Sequence, residues 1–148
     1  MRPTLRAGVS LRSAIADALP LVLANEAEIA QICLNLCINA HDASGDKGEI
    51  EVAVELVEPG TFACQSCLGD APARSWVRLR VTDKAGGISP EVQGRMFDPF
   101  YTTKGPLGTG LGLSMVHGLT HRHGGHIQVR SLAASGTSVE VYLPTESA

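Results

Sequence analysis

The chain has 148 residues, 44% of them hydrophobic and 18% charged, which suits one domain with a real core and excludes a disordered chain. Its formal net charge of -3 and pI of about 5.9 exclude a protein whose main task is gripping nucleic acid, because that task needs a basic face. No apolar run approaches the ~20 residues that span a bilayer, and "MRPTLRAGVS" lacks the apolar centre of a signal peptide, so a soluble cytoplasmic domain without direct membrane contact is expected.

Residues 4–13 open the chain with Val9 and Leu11 alternating as a strand would. After the short apolar run "ALPLVLAN", Asn25 followed by Glu28 forms a capping-box-like helix start. The helix "EAEIAQICLNLCINAHDAS" then runs to Gly45. Its polar positions, Glu28, Gln31, Asn35, Asn39 and Asp42, are spaced three, four, four and three apart, which places them on one narrow stripe. Asn is a poor residue for a helix interior, and a buried amide without partners costs about 1–3 kcal/mol. The stripe is therefore either a solvated seam or a face turned to a polar ligand. Cys33 and Cys37 lie one turn apart in the same apolar segment and read as small core residues.

"EIEVAVELV" alternates strictly, with Ile50, Val52, Val54 and Leu56 on one face and Glu49, Glu51, Ala53 and Glu55 on the other. "WVRLRVT" sets Val77, Leu79 and Val81 against Arg78 and Arg80. An acidic and a basic outer face suit neighbouring antiparallel strands, joined by a long loop over 58–75. That loop holds "CQSC", Cys64 and Cys67. A structural zinc site takes four ligands, and no second pair stands at finger-like spacing. A redox Cys-x-x-Cys opens a helix after a strand, which this loop does not do, so an incidental pair is the plainer reading.

The second strand runs into "DKAGGISPEVQGRMFDPF". Asp83 stands at the strand end, where a side chain reaches over the sheet edge. Ser89 with Pro90 at the first helical position starts a short helix. "FDPFYTTKGPLG" has no periodicity and reads as a loop. A helix follows from about Thr109 to His123 and stops at Gly124-Gly125, and "HIQVRS" and "SVEVYLP" are the last strands. The order predicts an α/β two-layer sandwich: a mixed, mainly antiparallel sheet covered on one face by three helices, folded as a single domain over 1–148. The glycine run "GPLGTGLGLSMVHG" (105–118) matches neither the P-loop nor the dinucleotide fingerprint. Its physical sense survives that mismatch: glycines let backbone approach a ligand, and free N–H groups at a helix start attract anions.

Four segments, "NLCINAHDAS" (35–44), "DKAGGI" (83–88), "FDPFYTTK" (97–104) and "GTGLGLSMV" (108–116), resemble in order the four boxes of the GHKL ATPases. They are most similar to those of the catalytic ATP-binding domain of bacterial sensor histidine kinases. The resemblance covers about residues 20–144, including the closing "SGTSVEVYLP". It implies that ATP and Mg2+ are the cofactors, with Asn39 ligating Mg2+ through its side-chain oxygen and Asn35 near the γ-phosphate. It implies that Asp83 accepts a hydrogen bond from the adenine amino group, supported by Thr137, with Asp42, Gly87 and Ile88 lining the nucleotide. Residues 98–110 become an ATP lid. The resemblance implies that Lys104 contacts the phosphates, that Gly108, Gly110 and Gly112 let backbone N–H groups face them at the start of the following helix, and that Thr103, Thr109 and Leu111 also line the nucleotide. Asn35, Asn39 and Lys104 would carry the catalysis.

Two departures stand out. Ala85 replaces the first glycine of the family's Asp-x-Gly-x-Gly box, and Lys84 stands where a small polar residue is common. Histidine kinases phosphorylate a histidine that begins a His-Glu motif, and none of His41, His117, His121, His123 and His126 is followed by Glu. His117 and His121, at i, i+4 spacing, read as surface residues of the last helix. The chain thus resembles a catalytic half that acts on the dimerisation helices of its parent kinase, ahead of a response regulator. It would be monomeric alone, with no nucleic-acid partner. Topoisomerase, chaperone and anti-sigma members carry Glu where this chain has Asn35. A stand-alone anti-sigma-type serine kinase, or a binding module that has lost catalysis, are the competing readings.

Overall fold

The computed structural model of the chain describes residues 9–16, 22, 26–44, 48–64, 67, 69–84, 95–98, 112–132 and 136–145. Among these, the elements in chain order are β1 (Val9–Ile15), α1 (Glu26–Ser44), β2 (Gly48–Val57), β3 (Phe62–Ala63), β4 (Asp70–Ala71), β5 (Trp76–Asp83), α2 (Gly112–Arg122), β6 (His126–Leu132) and β7 (Gly136–Pro144). Five strands form one sheet in the order β1-β2-β5-β7-β6. β1 runs parallel to β2, and every other neighbouring pair is antiparallel. The mixed, mainly antiparallel sheet is as the alternation predicts. The described residues hold two helices where three were expected; the expected start of the third, at Ser89, lies outside them.

The two helices pack on each other and on one face of the sheet. From α1, Ile32, Leu36 and Ala40 recur every four residues and are buried, so one stripe of the helix meets the sheet. They pack with Val116 of α2 and with Ile50, Val52, Leu79, Val81, Ile127, Val139 and Val141. Burying each of the larger aliphatic side chains contributes about 1.5–3 kcal/mol. The predicted alternation holds for Val77, Leu79 and Val81, all buried. It fails at Leu56, which is exposed near the end of β2.

The opposite face of the sheet carries charge. Glu55 lies across from Arg78, and Arg78 across from Tyr142. Arg78 pairs with Glu55, Arg80 with Glu51 at 3.7 Å, and Arg130 with Glu140 at 3.0 Å. Glu140 is only 2% exposed, and it also accepts a 2.9 Å hydrogen bond from the Tyr142 hydroxyl. Its burial is tolerable because cations and a hydroxyl surround it.

The segment 58–75 is not the plain loop expected. It contains the β3–β4 hairpin, with Phe62 opposite Ala71 and Ala63 opposite Asp70. Phe62 packs its ring 4.5 Å from Tyr142 and 6.2 Å from Trp76. With Ala71 these rings form a second, smaller apolar cluster. The hairpin forms because Phe62 finds an aromatic surface built by β5 and β7, distant in sequence and invisible to local periodicity.

Candidate functional site

Asp83 is the last residue of β5 and falls on the same face as Leu79 and Val81, toward the helices. It is 5% exposed. The register sets it opposite Thr137 of β7, itself 7% exposed. Gly136 precedes Thr137 with a φ of 95°, in the left-handed region that favours glycine. A Cβ there would fall 1.9 Å from the backbone oxygen of Asp83. Glycine is thus what lets the start of β7 close against the end of β5 and bring Thr137 level with Asp83.

Asn35 and Asn39 sit one turn apart on α1, both half-buried. The Asn35 amide donates to the carbonyl of Gly112, the first described residue of α2, at 3.3 Å. Gln31 donates to the Asn35 side-chain oxygen at 2.8 Å. At the other end of the stripe, the Glu28 carboxylate takes Arg122 and His123, each at 3.3 Å. The polar stripe of α1 therefore does work within the fold: from Glu28 to Asn35 it docks α2 along its length. Asn39 lies one turn beyond, and Asp42 belongs to the last turn of α1.

Cys37 is buried and Cys33 half-buried against the core, as the apolar reading of α1 predicts. A hydrogen bond from Cys37 holds the Cys33 thiol down at about 7, and the same bond pushes Cys37 up.

The structure thus joins Asp83 with Thr137, and Asn35 with Gly112. Gly87, Ile88, Thr103, Lys104, Gly108, Thr109, Gly110 and Leu111 lie outside the described residues, as does Ala85. Among the described residues, no helix is long and apolar enough to cross a membrane.

The histidines of α2 are not merely surface residues. His117 and His121 are half-buried, with ring centroids 4.6 Å apart. His121 also approaches His126, Cys64 and Cys67. Reading His117 with His121 missed the second pair, because His121-x4-His126 spans the end of α2 and the start of β6. Gly136 and the Glu28–His123 contact were missed as well, since neither has a local signature.

Comparison with known proteins adds a family. The profile of the "Histidine kinase-, DNA gyrase B-, and HSP90-like ATPase" family matches residues 24–147. The sensor kinase CckA of Brucella abortus (strain 2308) is 36% identical over 124 residues, which are 83% of this chain and 13% of that protein. The sensor histidine kinase ZraS of Escherichia coli O157:H7 is 37% identical over 136 residues, 92% of this chain and 26% of that protein. Among solved structures, full-length ShkA in complex with AMPPNP superposes with a TM-score of 0.71 at 26% identity, over 95% of this chain and 27% of that one. The chain therefore spans about a quarter or less of the length of these relatives.

Proposed function

Because the chain belongs to the histidine kinase-, DNA gyrase B- and HSP90-like ATPase family, we propose that it is the ATP-binding catalytic domain of a sensor histidine kinase. In this reading it holds Mg-ATP for phosphoryl transfer to a histidine on separate dimerisation helices, upstream of a response regulator. The observation that carries the proposal is the buried Asp83 carboxylate, level with Thr137 at the end of a central strand. The resemblance implies that this carboxylate, 5% exposed, accepts a hydrogen bond from the adenine amino group. The sensor-kinase names of the relatives and the AMPPNP bound by a structural neighbour support the same reading.

The residues suit the nucleotide and the ion. Asn39 offers a hard amide oxygen, the donor type that Mg2+ accepts alongside phosphate and water. Bound there, Mg2+ would neutralise charge on the phosphates. Asn35 stands beside the start of α2, where backbone N–H groups lacking helical partners favour anions. Lys104, Thr103 and the glycines from Gly108 to Gly112 would line the phosphates, and Asp42, Gly87 and Ile88 the rest of the nucleotide. In the transfer a nitrogen of the acceptor imidazole forms the new bond to the γ-phosphorus. The bond from that phosphorus to the bridging oxygen breaks, and ADP leaves with the electron pair. This chain contributes positioning and charge neutralisation. An amide cannot take a proton from water, so Asn35 favours transfer to a side chain over hydrolysis and sets this chain apart from Glu-bearing relatives.

Calorimetric titration with a non-hydrolysable ATP analogue, with and without Mg2+, tests the reading. The native chain should bind in a Mg2+-dependent way. Asp83→Asn should bind at least about tenfold more weakly, since a hydrogen bond to a charged group contributes about 1.5–3 kcal/mol. A folded native chain that binds no analogue would overturn the nucleotide site and leave a binding module.

A further inference from the structure

Away from the candidate nucleotide site, four metal-ligating side chains from three elements converge. Cys64 and Cys67 come from the hairpin turn between β3 and β4, His121 from the last turn of α2, and His126 from the first position of β6. One ligand atom from each lies within 4.8 Å of all the others. The Cys64 sulfur is 3.7 Å from Nε2 of His121, and the Cys67 sulfur is 3.8 Å from Nδ1 of His126. A tetrahedron with Zn–S of about 2.3 Å and Zn–N of about 2.0 Å has S···N edges of about 3.5 Å. These two edges are thus a few tenths of an ångström from those of a bound ion.

Chance does not account well for this cluster. Cys64 is 2% exposed, and its sulfur accepts the backbone N–H of Ile127 at 3.3 Å. The Cys67 sulfur accepts the N–H of Gly69 at 3.4 Å. Amide donors aimed at both sulfurs suit thiolates, the form in which cysteine binds metal. Two thiolates and two neutral imidazoles also leave a divalent ion with no net charge, which suits a half-buried place. The turn itself is closed by a 2.8 Å hydrogen bond from the Cys64 N–H to the Gly69 carbonyl, so both sulfurs hang from one tight loop. His126 is held by ring contacts with Phe62 and Trp76, at 6.4 and 5.8 Å.

We propose that Cys64, Cys67, His121 and His126 form a structural zinc site that pins the β3–β4 hairpin to the end of α2 and the start of β6. The spacing is Cys-x2-Cys followed far along the chain by His-x4-His, and two thiolates with two imidazoles in a closed tetrahedron select Zn2+ among common divalent ions. Binding releases two thiol protons to solvent. The ion fixes the far end of the helix whose first residue, Gly112, meets Asn35. The inference rests on these four residues and not on nucleotide binding.

The test uses the untagged full chain, kept reduced. Purified from zinc-supplemented culture, it should carry one equivalent of zinc by elemental analysis. After the zinc is stripped, Co2+ should give a thiolate-to-cobalt charge-transfer band with the intense visible bands of a tetrahedral ion, and Zn2+ should abolish both. Cys67→Ser changes an exposed side chain and should fold by circular dichroism while losing the metal and most of that band. Cys33→Ser should keep both. The proposal fails if the folded native chain gives no thiolate–cobalt band, if Cys67→Ser gives the same band, or if the anaerobically purified chain holds a Cys64–Cys67 disulfide in place of metal.

Discussion

Gly136 and Asp83 show how much one backbone position can decide. With φ at 95° and only 1.9 Å between the Cβ it lacks and the Asp83 carbonyl oxygen, Gly136 tolerates no side chain without moving one of the two strands. Gly136→Ala should cost about 3 kcal/mol or more, combining left-handed strain with a backbone clash. Urea denaturation reads the loss. Because the same shift displaces Asp83 from Thr137, affinity for an ATP analogue should fall in parallel. A variant as stable as the native chain would show that the two strands can separate freely. The cysteines divide at this scale too. Cys33 and Cys37 belong to the core of α1, whereas Cys64 and Cys67 take their meaning from histidines more than fifty positions away.

Among the elements, α1 does two jobs with two faces. Its aliphatic stripe meets the sheet, and its polar stripe meets α2 through Glu28 and Asn35 before reaching Asn39. The sheet likewise divides its faces, one aliphatic and one laced with ion pairs. Glu55 belongs to that ladder, and its hydrogen bond with Arg78 holds its carboxyl below the usual range. A carboxyl depressed in the folded state stabilises at pH values above its unfolded value, and that contribution is lost as pH falls through the folded one. The Glu55 side chain is 41% exposed, so solvent screening keeps the effect small. Glu55→Gln should therefore be slightly less stable than the native chain at neutral pH, with the gap closing below the ordinary Glu value of about 4.3. Thermal unfolding across that range checks it, and a gap that widens in acid would contradict it.

For the whole molecule, the chain spans only a fraction of the sensor kinases it resembles, and none of its five histidines begins a His-Glu motif. Catalysis by positioning needs the acceptor to be brought to the site. Alone, the chain should run as a monomer in light scattering and take up almost no label from γ-labelled ATP. Adding dimerisation helices that carry the acceptor histidine should restore labelling. Efficient labelling of the isolated chain would point to an acceptor within it, and labelling of a serine on a partner would revive the serine-kinase reading.

The five strands of the main sheet, the long helix, the sheet with helices on one face and the family were legible in the sequence. Each rests on local periodicity or on short motifs: the alternation of Ile50 to Val54, the stripe from Glu28 to Asn39, the four boxes from Asn35 to Val116. The side-chain period of a strand or helix is fixed by its backbone, so a pattern of a few residues is enough to announce it. What the sequence left undecided depends on which distant segments meet. Local pattern could not say that Phe62 would find Tyr142 and fold a hairpin, that Gly136 would close against Asp83, or that half of the polar stripe would be spent on α2. Nor could it set Cys64 and Cys67 beside His121 and His126, because only the packing of a hairpin against a helix end and an edge strand brings those four atoms within 4.8 Å.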